Sequence, residues 1–378
     1  MNLSDTSDCQ ALVASPLLGR VPEAICILRL SALGDVCNAV PAVRALQRQW
    51  PDCRITWILG KTELRLLEGL NGVELLGYDK KTGIKGILQL RRQLKRRRFD
   101  LLLHMQAALR ASLVSLAIRA QVRLGFDAER AKDNQRWFSN QQIPANPRKH
   151  VLDGFMDFIR ACGADAERLE WRMPISAQDR SEIQQLVGEG DYLVISPCSS
   201  QRIRNFRNWS VAGYARVIDH AWSHYRVRTV LSGGNTELEH QYGRQLGELC
   251  QHPPLNLIAK TSLKQLLALI ESARLVMGPD SGPMHMATAT DTPALGLYAS
   301  SNPDRTGPYL SRQWVVNSYP VQVQKAFGCG VDAISWGKRV REPDVMDGIQ
   351  ADEVISMLDR LLGSTDAVAK AQETQTSE

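Results

Sequence analysis

The sequence predicts an α/β fold of two Rossmann-like domains whose parallel sheets face each other across a cleft. The first observation is that apolar, strand-like runs alternate with helix-like segments along both halves of the 378 residues. The second is that several of these runs end in glycine-containing turns, as strands of βαβ units do. The third is the length, which is sufficient for two domains with separate cores.

The composition is that of an ordinary globular protein. Hydrophobic residues make up 44%, charged residues 23%, and the net charge is +6, which favours an anionic partner such as nucleic acid, anionic lipid or phosphorylated sugar. The eight cysteines form no C-x-x-C pair, so we expect reduced thiols in the core of a cytosolic protein. No signal peptide is recognised and no apolar run approaches the ~18 residues that span a bilayer, so membrane association is expected to be peripheral.

The first domain is predicted at residues 23–172, after a flexible leader at 1–22. Its strands are expected at 24–30, 54–59, 73–77, 100–104 and 122–125, and its helices at 36–50, 61–70, 86–98, 109–120 and 150–162. Residues 126–150 have no strong period and are expected to form a functional loop. A linker is expected at 163–176.

The second domain is predicted at residues 177–347. Its strands are expected at 191–196, 227–232, 256–258, 275–277, 294–298 and 313–317, and its helices at 210–223, 236–250, 262–272 and 284–289. A C-terminal helix at 348–362 is favoured by the acidic start Asp352-Glu353. Residues 363–378 are small and polar, which predicts a disordered tail.

The strongest functional signal is the strand, turn, helix and strand predicted over residues 275–309. The turn contains Pro283, which suits a first helical position, and Ser281 or Gly282 would be the N-cap. The N–H groups at such a helix start, together with the positive end of the helix dipole, form a site for phosphate or pyrophosphate.

Two side chains of the same turn strengthen this interpretation. His285 lies in the first helical turn, where it could donate to a phosphate oxygen. Asp280 lies at the carboxyl end of the strand, where open α/β sheets bind ligands. Each residue alone could be only a cap or a surface residue, but the combination favours an anion site.

Asp35 is the candidate for proton transfer. It lies in the S-A-L-G-D turn after the first predicted strand, and Gly34 would allow the backbone to turn tightly there. The carboxylate would then lie at the carboxyl edge of the first sheet. Opposite a phosphate site it could accept a proton from a nucleophilic hydroxyl, as in glycosyl transfer. A helix N-cap is the alternative interpretation.

Two further turns suit a nucleotide diphosphate. Ser199 and Ser200 follow a predicted strand, and the guanidinium of nearby Arg207 can pair with two oxygens at once. A solvated basic loop is the alternative. In the glycine turn at 232–237, Glu237 could accept from ribose hydroxyls or could complement a helix N-terminus.

Residues 80–98 are the most basic part of the chain, with nine lysines and arginines and an apolar face of isoleucine and leucine. We interpret the segment as an interfacial helix that contacts an anionic membrane and lipid phosphates. A solvated surface helix is the alternative. Nucleic-acid binding is disfavoured because the few aromatic residues nearby provide no stacking platform.

Three motifs make the chain resemble glycosyltransferase family 9, the bacterial lipopolysaccharide heptosyltransferases. They are LRLSALGDVCNAVPAVRAL at 28–46, the hydroxyl-then-basic-x-Trp pattern at 199–209, and GPDSGPMHMATATDTPALGLYASSNPDRTGPY at 278–309. The ending FGCGVDAISWGKRVREPDVMDGI at 327–349 resembles the subgroup that adds the first heptose to the inner core. The resemblance implies a GT-B fold and inverting transfer of heptose from ADP-L-glycero-D-manno-heptose to a Kdo hydroxyl of lipid A. It also implies that no cofactor is required and that the enzyme works at the cytoplasmic face of the inner membrane.

The resemblance also implies roles for individual residues. The first domain would bind the acceptor and the second the nucleotide sugar, with the following residues at the site: Asp35 as catalytic base, Asp280, Ser281, Gly282 and His285 on the ADP portion, Glu237 on the ribose, Ser199, Ser200 and Arg207 on the diphosphate, and Arg110, Arg130 and His150 as acceptor candidates. Arg207 stands where the family commonly has lysine, which keeps the charge but changes the geometry. No Asp-x-Asp lies near the cleft motifs, which favours a metal-independent reaction.

There are three alternative functions, one within the same enzyme family and two from other classes. A family 9 enzyme with another sugar donor or a later core acceptor would have the same turns, because they are more specific for ADP and phosphate than for the sugar. A non-catalytic nucleotide-sugar-binding protein that docks on membranes would not need Asp35. A nucleic-acid-binding protein would show an affinity that falls steeply with salt.

Overall fold

The computed structural model describes residues 13–199 and 205–376, with side chains up to residue 364. In these ranges the strands form two six-stranded sheets, and neighbouring strands pair in parallel. The α/β class and the two Rossmann-like sheets predicted from the sequence are therefore confirmed. The chain divides into two compact units: the first comprises residues up to Ser31, Ala39–Pro147 and Asp153–Trp171, and the second Ala32–Asn38, Arg148–Leu152 and the residues from Arg172 onward.

The first sheet has the order β3-β2-β1-β4-β5-β6. Its strands are β1 (Ala24–Leu28), β2 (Arg54–Gly60), β3 (Val73–Tyr78), β4 (Phe99–His104), β5 (Ala120–Gly125) and β6 (Gln141–Gln142). The helices of this part of the chain are α1 (Leu33–Gln49), α2 (Lys61–Leu67), α3 (Gly83–Gln93), α4 (Leu109–Ser115) and α5 (Val151–Cys162), with a 3₁₀ helix at Gln135–Phe138.

The second sheet has the order β12-β11-β10-β7-β8-β9. Its strands are β7 (Tyr192–Ile195), β8 (Arg228–Leu231), β9 (Leu255–Asn256), β10 (Leu275–Pro279), β11 (Ala294–Tyr298) and β12 (Val315–Asn317). The helices are α6 (Ala177–Val187), α7 (Val211–Tyr225), α8 (Glu237–Leu249), α9 (Leu263–Glu271), α10 (Gly282–Ala289), α11 (Pro303–Thr306), α12 (Tyr319–Phe327) and α13 (Ala351–Thr376), with 3₁₀ helices at Tyr309–Trp314, Val331–Ala333 and Val345–Gly348.

Four strands in the interior of the two sheets are buried along their whole length. Every residue of β1, β7, β10 and β11 is buried, because helices cover both faces of a parallel sheet. This explains why the strands read as continuous apolar runs rather than as alternating patterns. The described cysteines are not disulfide-bonded, and all but Cys329 are buried, as predicted; burial raises the pKa of the Cys37 thiol to about 12.

The structure adds local detail to three predictions about chain organisation, which stay predictions. Residues 13–22 belong to the predicted flexible leader, yet a turn closed by pairing of Ser15 with Arg20 lies there, and the Trp50 indole donates to the Val13 carbonyl at 2.8 Å. The predicted loop at 126–150 contains β6, whose two residues are too few to leave a pattern. α13 continues to Thr376 instead of ending at residue 362, because alanine, lysine, glutamine and glutamate in this stretch favour a helix.

Three helices of the second unit were not predicted from the sequence, namely α6, α11 and α12. α6 begins with a capping box in which Ser176 and Asp179 exchange hydrogen bonds between side chain and backbone. α12 begins with a proline in its first turn and ends at Gly328, whose φ is +68°. In the described ranges we find no helix that is both long enough and apolar enough to cross a bilayer.

Candidate active site at the ends of two neighbouring strands

The site lies at the topological switch point of the second sheet. β7 and β10 are neighbours, and from them the chain proceeds outward in opposite directions, through β8 and β9 on one side and β11 and β12 on the other. Open α/β sheets bind ligands outside the carboxyl ends of the strands at such a point. The turn after β7 leads to Ser199 and the turn after β10 contains Asp280, so sheet topology brings these two predicted segments together. Ser200 lies outside the described residues.

The turn after β10 has the local structure of an anion site. A Cβ on Gly278 would lie 2.6 Å from the Ser196 carbonyl oxygen, so only glycine allows this close approach. Ser281 is the N-cap of α10, as predicted, and Pro283 occupies the second rather than the first helical position. The Ser281 hydroxyl makes no capping bond and is buried without a partner among the described residues. An orphaned hydroxyl beside the N–H groups of a helix start is suited to a ligand.

The Asp280 carboxylate lies between two arginines. Arg207 donates from Nη1 to the Asp280 main-chain oxygen at 2.7 Å and to its carboxylate at 3.1 Å, and Arg339 donates from Nη2 to the carboxylate at 3.3 Å. Burial acts to raise the pKa of Asp280, but the nearby cations outweigh it and hold that pKa below its usual value. Asp280 is therefore ionised, and it orients the guanidinium groups.

Arg207 is itself buried, with a side chain that is 10% exposed. Its Nε donates to Asn205 Oδ1 at 2.7 Å. Burial lowers the pKa of Arg207 from its very high ordinary value, and the Asp280 charge opposes this effect. The two arginines together carry one positive charge more than Asp280 compensates. The cluster is therefore complementary to an anion.

Asp35 lies in the first turn of α1, which begins at Leu33 instead of the predicted residue 36. Its Oδ2 accepts from the Ala32 N–H at 3.2 Å, so Asp35 reaches back to the helix start without being the N-cap. A Cβ on Gly34 would lie 2.3 Å from His285 Cδ2. Gly34 is thus required by the close approach of His285, and its φ is not positive. Residues 32–38 and His285 belong to the same unit, which brings the Asp35 turn next to the start of α10.

His285 has its ring orientation set by Asn38. The Asn38 Nδ2 lies 3.2 Å from His285 Nδ1, and Asn38 is 1% exposed. Burial lowers the pKa of His285 below its usual value, although the charges of Asp280 and Asp35 oppose this. A neutral ring whose Nδ1 accepts from the Asn38 amide has its proton on Nε2. That N–H is the donor that a phosphate oxygen would require.

The polar atoms of Ser199 are already used within the protein. Its hydroxyl accepts from Asn205 Nδ2 at 2.6 Å and donates to Asn208 Oδ1 at 3.1 Å. Asn208 also accepts the Ser199 N–H at 2.9 Å. The two asparagines were not predicted from the sequence. Ser199 therefore contributes to the shape of the turn and links it to Arg207 through Asn205.

The glycine turn after β8 places Glu239, rather than Glu237, against the backbone. Glu239 accepts from the Gly234 N–H at 2.7 Å and from the Thr236 hydroxyl, which completes a capping arrangement at the start of α8. Glu237 points outward, with its side chain 80% exposed, and pairs with Arg244 at 2.6 Å. The hydrogen bond from Arg244 lowers the pKa of Glu237. The role of Glu237 at a ribose stays a prediction.

Arg130 is occupied by contacts within the first unit. Its Nη1 pairs with Asp157 at 2.7 Å, its Nη2 donates to the Pro144 carbonyl at 3.0 Å, and its Nε pairs with Asp127. These contacts hold the segment before β6 against α5. They give Arg130 a structural role and leave little of the guanidinium for the predicted acceptor contact.

Both ring nitrogens of His150 are hydrogen-bonded within the protein, and its acceptor role stays a prediction. Its Nε2 lies 2.9 Å from the Gly307 carbonyl, and its Nδ1 accepts from the Leu152 N–H at 3.1 Å. Burial lowers the pKa of His150 to about 3, so the ring is neutral and both nitrogens are used. Arg110 is exposed on the first turn of α4 and has no ion-pair partner within the described part of the chain, so the acceptor prediction rests mainly on this residue.

Besides Asn205 and Asn208, the sequence did not indicate Arg339 and Asn38 as site residues. Arg339 belongs to the basic run WGKRVR at 336–341, which is a charge signal without a strand-turn-helix pattern. Asn38 lies one helical turn after Asp35, so its position was available from the helix period. Among the residues described, no cluster of three or more His, Cys, Asp or Glu side chains is placed to hold a metal ion.

The chain is similar to known glycosyltransferases along most of its length. Residues 87–331 match the model of glycosyltransferase family 9 (heptosyltransferase). The lipopolysaccharide core heptosyltransferase OpsX of Haemophilus influenzae is 40% identical over 347 residues, which are 92% of this chain and 99% of that protein.

Two solved structures have a similar fold. The glycosyl transferase family 9 structure from Veillonella parvula is 22% identical and superposes with a TM-score of 0.74 over 90% of this chain and 98% of that one. The E. coli heptosyltransferase WaaC with ADP is 16% identical and superposes with a TM-score of 0.69 over 89% of this chain and 99% of that one. At these identities the comparison establishes the GT-B fold alone.

Proposed function

Because this chain belongs to glycosyltransferase family 9 and is a glycosyltransferase, we propose that it adds the first heptose of the lipopolysaccharide inner core. The donor is ADP-L-glycero-D-manno-heptose and the acceptor is a Kdo hydroxyl of lipid A. The 40% identity to a core heptosyltransferase supports the pathway, and the chain's ending at 327–349 supports the first-heptose step. Residues 23–172 would bind the acceptor and residues 177–347 the nucleotide sugar.

One observation carries this proposal: the Asp35 turn is packed against the start of α10. The missing Cβ of Gly34 lets His285 lie against the turn, and Asn38 bonds to the same histidine. A carboxylate thus lies next to a helix start that has the features of a phosphate site. Glycosyl transfer needs this pairing of a proton acceptor with an anion site.

The proposed reaction is a single inverting displacement. The acceptor hydroxyl oxygen attacks the anomeric carbon from the face opposite the leaving group, and Asp35 takes the hydroxyl proton. The bond between the anomeric carbon and the diphosphate oxygen breaks, and its electron pair stays on that oxygen. The cations around Asp280, the His285 Nε2–H and the α10 N–H groups would stabilise the charge that develops on ADP.

The test is a transfer assay on purified Kdo-lipid A and on the same acceptor already carrying one heptose, with mass spectrometry of the products. We expect ADP-heptose to add one heptose to Kdo-lipid A and none to the heptosylated acceptor. A folded protein that binds ADP but adds no heptose to Kdo-lipid A would contradict the proposed step.

A later core step or another sugar donor is the alternative within the family. The name of the 40% identical relative specifies the core but not a step, so it is compatible with this alternative. The same assay separates the first-heptose step from a later core step, because a later-acting enzyme would add heptose only to the already heptosylated acceptor. A protein that binds ADP-sugars but transfers none of them would instead support a non-catalytic binding function.

We further propose that the enzyme reaches its lipid acceptor by docking on an anionic membrane through α3. Ile84 and Leu88, one helical turn apart, are 75% and 49% exposed. The exposed cations around them are Lys81, Lys85, Arg91, Arg92, Lys95, Arg96 and Arg98. Lys80 and Arg97 are engaged with Glu63 and Glu74. An apolar strip rimmed by cations is the pattern of an interfacial helix.

A second exposed apolar surface supports this docking face. Leu109, Leu113 and Leu116 follow one face of α4 and are 51%, 40% and 61% exposed, and Trp137 is 82% exposed. Buried residues of α3 and α4 contribute to the same core cluster, so the two helices lie on one face of the first sheet. Tryptophan favours the bilayer interface.

Sedimentation with vesicles tests this part of the proposal. The double variant Ile84→Ser/Leu88→Ser should lose most binding to vesicles of phosphatidylcholine with phosphatidylglycerol, and wild type should bind pure phosphatidylcholine weakly. Leu249→Ser, at a leucine that is 55% exposed on α8, is the matched control and should bind like wild type. Equal binding of the double variant and wild type would contradict the docking face.

A further inference from the structure

Arg339 lies in a segment that is fixed at both neighbouring residues. The Val340 N–H donates to the Ser300 carbonyl at 2.9 Å, and the Ser300 hydroxyl donates to the Val340 carbonyl at 2.7 Å. On the other side, the Tyr319 hydroxyl donates to the Lys338 carbonyl at 2.7 Å. Ser300 follows the carboxyl end of β11, so these bonds hold Arg339 at the ligand-binding edge of the second sheet.

The two arginines that contact Asp280 differ in how many of their N–H groups are hydrogen-bonded within the protein. Arg207 is nearly buried, and both its Nε and its Nη1 are hydrogen-bonded within the protein. Arg339 is 33% exposed. Its 3.3 Å bond to Asp280 is the only hydrogen bond that its guanidinium makes to a described residue. Arg207 therefore holds Asp280 in place, whereas most N–H groups of Arg339 make no hydrogen bond to a described residue.

The surroundings of Arg339 are complementary to a phosphate. The Asp280 charge is shared by the two arginines, which leaves one positive charge uncompensated. Asp280 directly precedes Ser281, whose hydroxyl is buried without a partner among the described residues. An anion at the start of α10 would therefore meet the helix N–H groups, the orphaned Ser281 hydroxyl and the guanidinium that is bonded to the preceding residue, Asp280.

We propose that Arg339 binds the terminal phosphate of the nucleotide diphosphate. It would also stabilise the charge that this phosphate gains when the bond to the sugar breaks and the electron pair stays on the phosphate oxygen. The inference rests on the proposed ADP-sugar donor and adds a residue from the C-terminal segment, outside the three sequence motifs. Asp280 would act by orienting Arg339 rather than by contacting the nucleotide.

Calorimetric titration with ADP and with AMP tests the proposal, because AMP lacks the terminal phosphate. Arg339→Gln should weaken ADP binding about tenfold or more and AMP binding less than about threefold, since a bond to a charged group is lost for ADP alone. Arg339→Lys should recover part of the ADP affinity. Arg341→Gln, at an exposed arginine two residues further on, is the matched control and should bind both nucleotides like wild type.

Thermal unfolding of each variant shows whether it is folded, and Arg339→Met provides a second neutral variant if the Gln variant does not fold. Equal weakening of ADP and AMP, or unchanged ADP affinity, would overturn the proposal. Failure of wild type to bind ADP or to transfer heptose would instead contradict the proposed function. A wild type that transfers heptose, with Arg339→Gln binding ADP as tightly, would remove the Arg339 inference alone.

Discussion

The donor-site candidates and the acceptor candidates are held in different ways. At the end of β10, Asp280 connects Arg207 and Arg339 in one charged cluster next to His285. Arg130 and His150, in contrast, use their polar atoms on separate contacts with nearby backbone and carboxylates. The difference shows that the positions of strand-end turns can be predicted from sequence, because sheet topology fixes where those turns lie. Residues in long loops depend on partners that the sequence does not reveal.

The largest expected effect separates chemistry from donor binding. Asp35→Asn removes the proposed proton acceptor with little change in shape, so turnover should fall by about 10³-fold or more. ADP affinity should stay within about threefold of wild type, because the α10 start and the arginines are unchanged. Product formation by mass spectrometry and ADP titration measure the two effects. Turnover close to wild type would show that Asp35 is not the base.

A second comparison distinguishes structural arginines from acceptor-binding ones. Arg130→Gln leaves the buried carboxylates of Asp127 and Asp157 with fewer cations, so the free energy of unfolding should fall by about 3 kcal/mol. Arg110→Gln, at an exposed position, should change stability by less than about 0.5 kcal/mol and raise the KM for the acceptor. Urea unfolding and acceptor kinetics measure these effects. A stable Arg130→Gln protein with a raised acceptor KM would restore Arg130 as an acceptor residue.

A third prediction concerns pH and His150. Burial lowers its pKa to about 3, whereas in the unfolded chain it titrates near ~6.5. The unfolded state therefore binds more protons between these values, and stability is lost as the pH falls below ~6.5. His150 should contribute a loss of about 2 kcal/mol between pH 7 and pH 5.

Urea unfolding at pH 7, 6 and 5 measures this loss. His150→Gln should show a flatter pH dependence, and His224→Gln, at an exposed histidine on α7, should keep the wild-type dependence. A His150→Gln profile parallel to that of wild type would contradict the buried neutral ring.

The smallest effect tests the contact between the Asp35 turn and α10. Gly34→Ala would place a Cβ 2.3 Å from His285 Cδ2, so His285 must move and ADP affinity should fall about tenfold. Gly247→Ala is the matched control, because nothing lies within 4 Å of a Cβ at that helical position. ADP titration of both variants measures the effect. Wild-type affinity of Gly34→Ala would show that the turn and the phosphate site are independent.

Much of the fold could be predicted because the signals for its strands and helices lie in short stretches of sequence. Continuous apolar runs and glycine turns located the central strands, and the capping pattern located the start of α10 with Ser281 as N-cap. The two-residue strand β6 is too short to leave a period, whereas β9 lies within one residue of the strand expected at 256–258. The signal for Glu239 was present in the sequence, since Thr236 and Glu239 have the spacing of a capping box.

The part of the site that could not be predicted is long-range. Arg339 bonds to Asp280 across 59 positions, and His150 to Gly307 across 157. No periodicity or spacing rule connects such residues. The burial that neutralises His150 and His285 is likewise a property of the packed chain, so their chemistry follows only from the fold.

The most direct test of the central claim is a crystal structure of the protein with ADP. The account predicts that the diphosphate lies at the start of α10, with the His285 Nε2 and the Arg339 guanidinium within hydrogen-bond distance of its oxygens and the Asp35 carboxylate facing the terminal phosphate. A diphosphate bound elsewhere, for example at the glycine turn after β8 with α10 unoccupied, would contradict it.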